Sequence, residues 1–365
     1  VTATPWKLPQ VNNLGSGPQR RSYFEGFWAF LESRPVDQKL FDVFRFADVA
    51  VQVEGVASSD AEIIFAALGE SLWVADPENS IQTAIRIKII DRDAAAYGAD
   101  LTRSLAGCLS QNRRLWEPLA TNTISVGVEA EGHVLSLFDR ETHRAIIVAD
   151  FRKIIEEKQY LPSPFRFIFE EFADTKGYHL VHAGAVKTGL GATLIVGASG
   201  QGKSTTVAAC ALQGLPFFGD DYVIIRWIAN DHRVFPLYRT IKSNFPFPGG
   251  EHSFRSFRSQ SRQEKKIYTV DKRHQTELDN TSSVSALVLP VINVAEPVEL
   301  RQVDRFTILR HFLPSTLLQS HIGHQERAKM ISSLVARSNC FQLSVNRDLD
   351  QIGKAMATLC GPLQK

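Results

Sequence analysis

"GASGQGKSTTVAACALQGLPFFGDD", residues 197–221, opens on a glycine-rich turn and closes on two adjacent acids. Its first eight residues, Gly197, Ala198, Ser199, Gly200, Gln201, Gly202, Lys203 and Ser204, fit G-x-x-x-x-G-K-S/T without a mismatch. The flanks fit as well. "GATLIVGA" before the turn reads as an apolar strand, and "KSTTVAACALQG" after it reads as a helix stopped by Gly214. Each residue type has a physical reason. Glycines let the backbone wrap with its N–H groups converging on phosphate oxygens. The start of the following helix adds partial positive charge. Lys203 reaches the terminal phosphates, the Ser204 hydroxyl can join the shell of a magnesium ion, and Thr205 completes the nucleotide-binding set. The bland alternative is a glycine-rich turn.

Asp220 and Asp221 follow Lys203 by 17 and 18 residues and precede the apolar run "YVIIRWI". One carboxylate can hold magnesium and the other can take a proton from an incoming hydroxyl. The alternative is a turn with two solvated charges. Most phosphate-loop ATPases carry their acid well downstream, at the end of a long apolar strand. Here one helix separates loop and acids, which suits a compact kinase in which one small unit holds nucleotide, metal and base.

"LVHAGAVKTGLGATLIVGASGQGKSTTVAACALQGLPFFGDDYVII", residues 180–225, resembles the catalytic core of the HPr kinase/phosphorylase family and its divergent relatives. His182, the turn at Gly197 and the pair Asp220–Asp221 carry the resemblance by their spacing, and "CFQLSVNRDLDQI" resembles the closing strand and helix of the related kinases. The likeness spans about 177–350. It implies a compact α/β phosphate-loop core of the HPr kinase/PEP carboxykinase type. It also implies roles: Lys203 and the loop amides on the phosphates, Ser204 with Asp221 on Mg2+, Asp220 as general base, and His182 beside the acids. The adjacent acids leave the reverse division of roles open, and a plain core histidine remains the alternative for His182. Departures are visible too. Thr205 stands where the family has an acid, the glycine-rich run ending in Leu-Phe-Gly is missing from 225–300, and residues 1–150 show no counterpart of the family's first domain. HPr as substrate, the reverse reaction and a hexamer are therefore not implied.

The rest of the chain supplies context. Its 365 residues suggest two domains: a tail and helix over 1–38, an α+β accessory domain over 39–175, and the catalytic domain over 176–365. In "YFEGFWAFLE", Phe24, Phe27, Trp28 and Leu31 share one helical face, which packs on its own domain or meets a partner. A 44% hydrophobic and 22% charged composition with net charge +2 describes an ordinary globular chain and argues against a broad nucleic-acid surface. No apolar run has the ~18 residues that span a bilayer, and the first residues lack a signal-peptide shape. Four cysteines, with no C-x-x-C pair, read as reduced thiols in a cytoplasmic protein. The basic run 253–273, with Arg255, Arg258, Arg262, Lys265, Lys266, Lys272 and Arg273, lacks apolar periodicity and reads as a loop. It either clamps the γ-phosphate or an acidic peptide, or is simply solvated. "HIGH" at 321–324 and "KMISS" at 329–333 mimic the two signatures of class I aminoacyl-tRNA synthetases, but they lie five residues apart near the chain's end. An ABC-type ATPase is disfavoured because no S-G-G-Q signature follows the loop.

The expected activity is an ATP- and Mg2+-dependent kinase acting on a hydroxyl, with a peptide or protein serine as acceptor. The expectation includes no nucleic acid and no membrane partner, and leaves room for a homo-oligomer. The competing expectation is a catalytically weak nucleotide-binding regulatory or scaffold protein.

Overall fold

The computed structural model describes residues 17–33, 39–56, 65–68, 83–91, 121–157, 160–243, 254–257, 266–270 and 281–359. The chain divides into two units. One comprises Val1–Phe65 with Trp73–Thr175, the other Ala66–Leu72 with Lys176–Lys365. The fold is mixed α/β, with seven α-helices and three sheets among the described residues.

In the first unit, α1 (Gly17–Glu32) precedes six strands: β1 (Lys39–Phe46), β2 (Val49–Val56), β3 (Thr83–Asp91), β4 (Ile124–Glu129), β5 (Val134–Asp139) and β6 (Arg144–Ala149). They form one sheet in the order β1-β2-β3-β6-β5-β4. The aromatic face of α1 packs within this unit. Phe24, Phe27, Trp28 and Leu31 are buried against Ile90, Leu135, Leu137, Ile146 and Val148. The stretch 151–176, which the sequence reads as helical with a break at 162–164, forms α2 (Phe151–Glu157) and α3 (Arg166–Lys176), separated around Pro162 and Pro164, because proline disfavours a helical residue before it. The runs 58–71 and 100–112 read as helices in sequence; a short 3-10 turn at Ala66–Leu68 falls among the described residues, and 100–112 lies outside them.

The second unit is built on a branched sheet. It contains β7 (His179–Val181), β8 (Gly184–Thr188), β9 (Gly191–Ile195), α4 (Lys203–Leu212), β10 (Phe217–Gly219), β11 (Val223–Ile228), β12 (Asp231–Phe235), β13 (Thr240–Ser243), β14 (Phe254–Phe257), β15 (Lys266–Val270), β16 (Ser282–Ile292), β17 (Leu300–Gln302), α5 (Arg305–Leu317), α6 (His324–Arg337), β18 (Asn339–Val345) and α7 (Leu349–Ala357). The order is β10-β8-β9-β16-β12-β11-β7, with β18 joining β16 and β17 joining β18. β9, β16 and β18 are parallel, so their carboxyl ends share one edge. Both faces of β16 are covered. Val288 packs with α4 and α7, while Leu287 and Leu289 pack with α5 and α6. That double cover explains its near-continuous apolar sequence.

Apolar alternation in the sequence reads 178–188 and 233–243 as single strands and 253–273 as a loop, and the structure differs at each. "YHLVHAGAVKT" is two strands, β7 and β8, with His182 between them. "RVFPLYRTIKS" also divides, because Pro236 cannot donate to a ladder. β12 ends at Phe235, and β13 belongs to a separate sheet ordered β13-β15-β14. That sheet also corrects the reading of 253–273 as a loop: Phe254–Phe257 and Lys266–Val270 are strands. Ile267 and Tyr268 are buried, so the short apolar-aromatic core of β15 outweighs its basic surroundings. Arg258, Arg262, Lys265, Lys272 and Arg273 lie outside the described residues. Among the cysteines, Cys210 and Cys340 are free and buried, and the other two also lie outside. None of the described helices is long and apolar enough to cross a membrane.

Gly184 joins the two halves of the site. A Cβ there would stand 2.4 Å from Val207 Cγ2 on α4 and 3.2 Å from the Asp220 carbonyl oxygen. Gly184→Ala is therefore expected to destabilise the protein by roughly 1–3 kcal/mol. In a thermal-denaturation double-mutant cycle, Val207→Ala should recover part of that loss, and simple additivity would show that the close approach does not matter.

Candidate functional site

The glycine-rich turn leaves β9 at the carboxyl edge of the parallel strands. Val196 N–H still donates to the Val288 carbonyl at 2.9 Å, and the chain then turns through Gly197, Gly200 and Gly202, whose φ values are 137°, 84° and 99°. Those angles are the glycine region, and they bring the chain into α4 at Lys203. The strand–turn–helix context expected from sequence is present.

The turn satisfies its own polar groups. Lys203 is buried, and its Nζ donates to the Gly197 and Ala198 carbonyls at 2.9 and 3.1 Å. Gln201 Oε1 accepts from the Ala198 N–H at 2.5 Å. Gln201 Nε2 lies 3.4 Å from His311 Nδ1 on α5. Ser199 and Gly200 are exposed, while Ser204 and Thr205 are partly so.

Asp220 and Asp221 follow β10, which pairs with β8. They sit in contrasting surroundings. Asp220 is 2% exposed. Its Oδ2 accepts from the Lys242 backbone N–H at 2.9 Å, whereas its buried Oδ1 makes no hydrogen bond. Burial, and then the adjacent Asp221 charge, push its pKa up to about 6, with the Lys242 amide and the Ser204 hydroxyl pulling the other way. Asp221 shows the opposite shift. Burial opposes its charge, but the Lys242 ammonium, with Nζ 2.6 Å from Oδ2, and His182, with Nε2 3.3 Å from Oδ1, hold its carboxyl far below the usual range.

His182 is 4% exposed and is held by α5 and the residues after it. Its backbone N–H donates to Thr316 Oγ1 at 3.3 Å, and its Nδ1 lies 3.2 Å from the Ser315 carbonyl and 2.7 Å from Gln319 Nε2. Tyr222 OH donates to Gln319 Oε1, which points the Gln319 amide nitrogen at His182. With Nε2 facing Asp221, Nδ1 stands between the Ser315 carbonyl, which can only accept, and the Gln319 amide nitrogen, which can only donate, so the tautomer decides which of the two it bonds. The chain of contacts Tyr222–Gln319–His182–Asp221–Lys242 is thus continuous.

The structure therefore brings His182, Asp220 and Asp221 together and places Ser204 beside Asp220, whereas the sequence pairs Ser204 with Asp221. Sequence reading missed Lys242, Gln319 and Tyr222. Gln319 and Lys242 carried no local motif, and their closeness to His182 and Asp221 arises from chain reversals 21 or more residues long. Among the described residues no cluster of three or more His, Cys, Asp or Glu could hold a metal. Magnesium does not require one. It is commonly held by one or two carboxylates with waters and substrate phosphates, and the acid pair with the Ser204 hydroxyl beside it offers donors of that kind.

No protein-family model matches this chain, and no curated protein does. Among solved structures it is similar to the HPr(Ser) kinase/phosphatase from Coxiella burnetii, at a TM-score of 0.26 and 12% identity, over 50% of this chain and 93% of that one. The likeness is weak, and the functional reading rests on the residues.

The Asp220 shift has a definite sign. Its folded pKa of about 6 exceeds the ordinary 3.8. The native state then binds more protons than the unfolded state between about pH 4 and 6, and this acid's contribution to stability falls as pH rises through that window. Asp220→Asn should stabilise the nucleotide-free protein at pH 8 by on the order of 1–3 kcal/mol. The gain should shrink toward pH 4. Urea titrations at both pH values measure it, and a gain independent of pH would remove ionisation as the cause.

Proposed function

We propose that the chain is an ATP- and Mg2+-dependent kinase that transfers the γ-phosphate to a serine hydroxyl of a peptide or protein. The observation that carries this reading is the buried, unpartnered Oδ1 of Asp220 beside Ser204. It is an acid near neutral pKa, one helix away from a phosphate-type turn. In transfer, the acceptor oxygen bonds to the γ-phosphorus and the bond to the β–γ bridging oxygen breaks. ADP leaves with that electron pair, and the hydroxyl proton passes to Asp220. Asp221 stays ionised under Lys242 and His182 and fixes the negative charge next to the base. Ser204 and Asp221 would hold magnesium, which would neutralise phosphate charge when bound. Lys203 and the amides of Gly197 to Thr205 would cradle the phosphates once Lys203 and Gln201 give up their contacts within the turn.

The acceptor side is supported by the three-stranded sheet. Lys242, which binds Asp221, lies on β13. β13 pairs with β15, and β15 in turn pairs with β14. Lys266 and Arg255, the described members of the basic run, are on that sheet. Basic residues on the sheet that carries Lys242 support an acidic peptide as the acceptor.

The self-satisfied turn favours a second reading, a nucleotide-binding switch of little catalytic power. The two separate by assay. With γ-labelled ATP and a panel of serine peptides, the kinase reading expects transfer by the wild type and a loss of roughly 10²–10⁴-fold in Asp220→Asn. If Asp220 is the base, that variant should keep the wild-type magnesium requirement for nucleotide binding. A raised requirement would assign Asp220 to the cation and reverse the division of roles. Nucleotide binding without transfer by wild type would favour the switch. Gln201→Ala, which frees the Ala198 amide, should tighten ATP binding roughly three- to tenfold by calorimetry, and weaker binding would show Gln201 to be a ligand instead.

A further inference from the structure

Ile292 and Val294 are large aliphatic side chains left in water, at 54% and 60% exposure, and Ile292 lies beside the phosphate-type turn. Their position follows from the sheet. β16 ends at Ile292, whose register partner on β18 is Val345, and the Asn293 N–H donates to the Val345 carbonyl at 2.9 Å. Pro290, Ile292 and Val345 all meet the last glycine of the turn. A Cβ on Gly202 would lie 3.6 Å from Pro290 Cβ, Ile292 Cγ1 and Val345 Cγ1. Pro290 and Val345 are buried there, and the side chain two residues beyond Ile292 is Val294. Ile292 thus sets an exposed apolar ledge against the last glycine of the turn, with the exposed Val294 two residues further along the chain, at the carboxyl edge of the parallel strands where α/β sheets hold their ligands.

We propose that this ledge is the nucleoside subsite: Ile292 and Val294 receive the purine of the nucleotide whose phosphates lie in the 197–205 turn. The inference rests on the proposed phosphate site and adds to it the place of the base. The occupant follows from continuity. The ledge touches the residue that ends the phosphate turn, so a group covalently tethered to the α-phosphate is the apolar body that reaches it without a second binding event. Two β-branched side chains offer a flat apolar surface and no hydrogen-bond code. They cover the face of a purine and discriminate little between adenine and guanine.

Calorimetry with Mg-ATP, Mg-GTP and inorganic tripolyphosphate tests the ledge apart from the phosphates. Wild type should bind either nucleotide at least roughly tenfold more tightly than tripolyphosphate. Ile292→Ser/Val294→Ser should erase that difference by weakening ATP while leaving tripolyphosphate binding unchanged. Ile292→Met should retain most of it. Both residues are more than half exposed, so the serine variant should fold with nearly wild-type stability, checked by its melting curve. Unchanged ATP affinity, or an equal loss for ATP and tripolyphosphate, overturns the subsite while leaving the phosphate site standing. Wild type that binds neither ligand overturns the phosphate site and the ledge with it.

Discussion

Two carboxylates on consecutive residues cannot both be ionised in a buried turn unless a cation answers one of them, and Lys242 is that cation here. Its ammonium faces Asp221 and its backbone N–H faces Asp220. One residue thereby imposes opposite fates on two neighbours. Asp221 is locked as an anion, and Asp220 keeps an oxygen without a hydrogen-bond partner and a pKa near neutrality. Like charges at close range drive such titrations apart, and a poised acid beside a fixed anion is the result. The small sheet of β13, β14 and β15 earns its place in the fold by presenting Lys242.

His182 plays a supporting part that depends on a break. Had residues 178–188 formed one strand, this side chain would have alternated into a sheet face. Instead the chain ends β7 at Val181 and resumes at Gly184, so the imidazole reaches the acid turn from between two strands. Gly184 then allows α4 and the Asp220 backbone to close on the same point. The helix that follows the turn and the acids that follow β10 thus both close on Gly184, through Val207 and the Asp220 carbonyl.

Much of this core was legible in the residues. The G-x-x-x-x-G-K-S spacing, the helix stopped at Gly214 and the Asp-Asp pair are local patterns, and local patterns survive folding. The hairpin turn between β11 and β12, where Ala229 and Asn230 adopt positive φ, sits on an Asn-Asp dipeptide, a turn signal of the same local kind. The divided strands were harder to read, because apolar alternation continues across His182 and Pro236 while the pairing partners change. Lys242 and Gln319 were unreadable as site residues. A lone lysine on a strand and a glutamine after a helix carry no spacing signal, and only the tertiary arrangement gives them Asp221 and His182 as partners. The basic run misled for a complementary reason. Its charges dominate the composition, yet Ile267 and Tyr268 supply enough buried apolar surface to make a strand.

The turn at 197–205 faces the same constraint as the acid turn, with the sign reversed. A buried ammonium needs acceptors, and the turn supplies neutral ones in the carbonyls of Gly197 and Ala198, while the Gln201 amide oxygen takes the Ala198 N–H. These contacts hold the turn's shape, and under the proposed reading a phosphate would displace them. His311 carries the Gln201 contact to α5, the helix that one turn later holds His182 through Ser315 and Thr316. One helix therefore touches both Gln201 in the turn and the histidine beside Asp221. Rearranging Gln201 on nucleotide binding would bear on the same element that sets the histidine against Asp221.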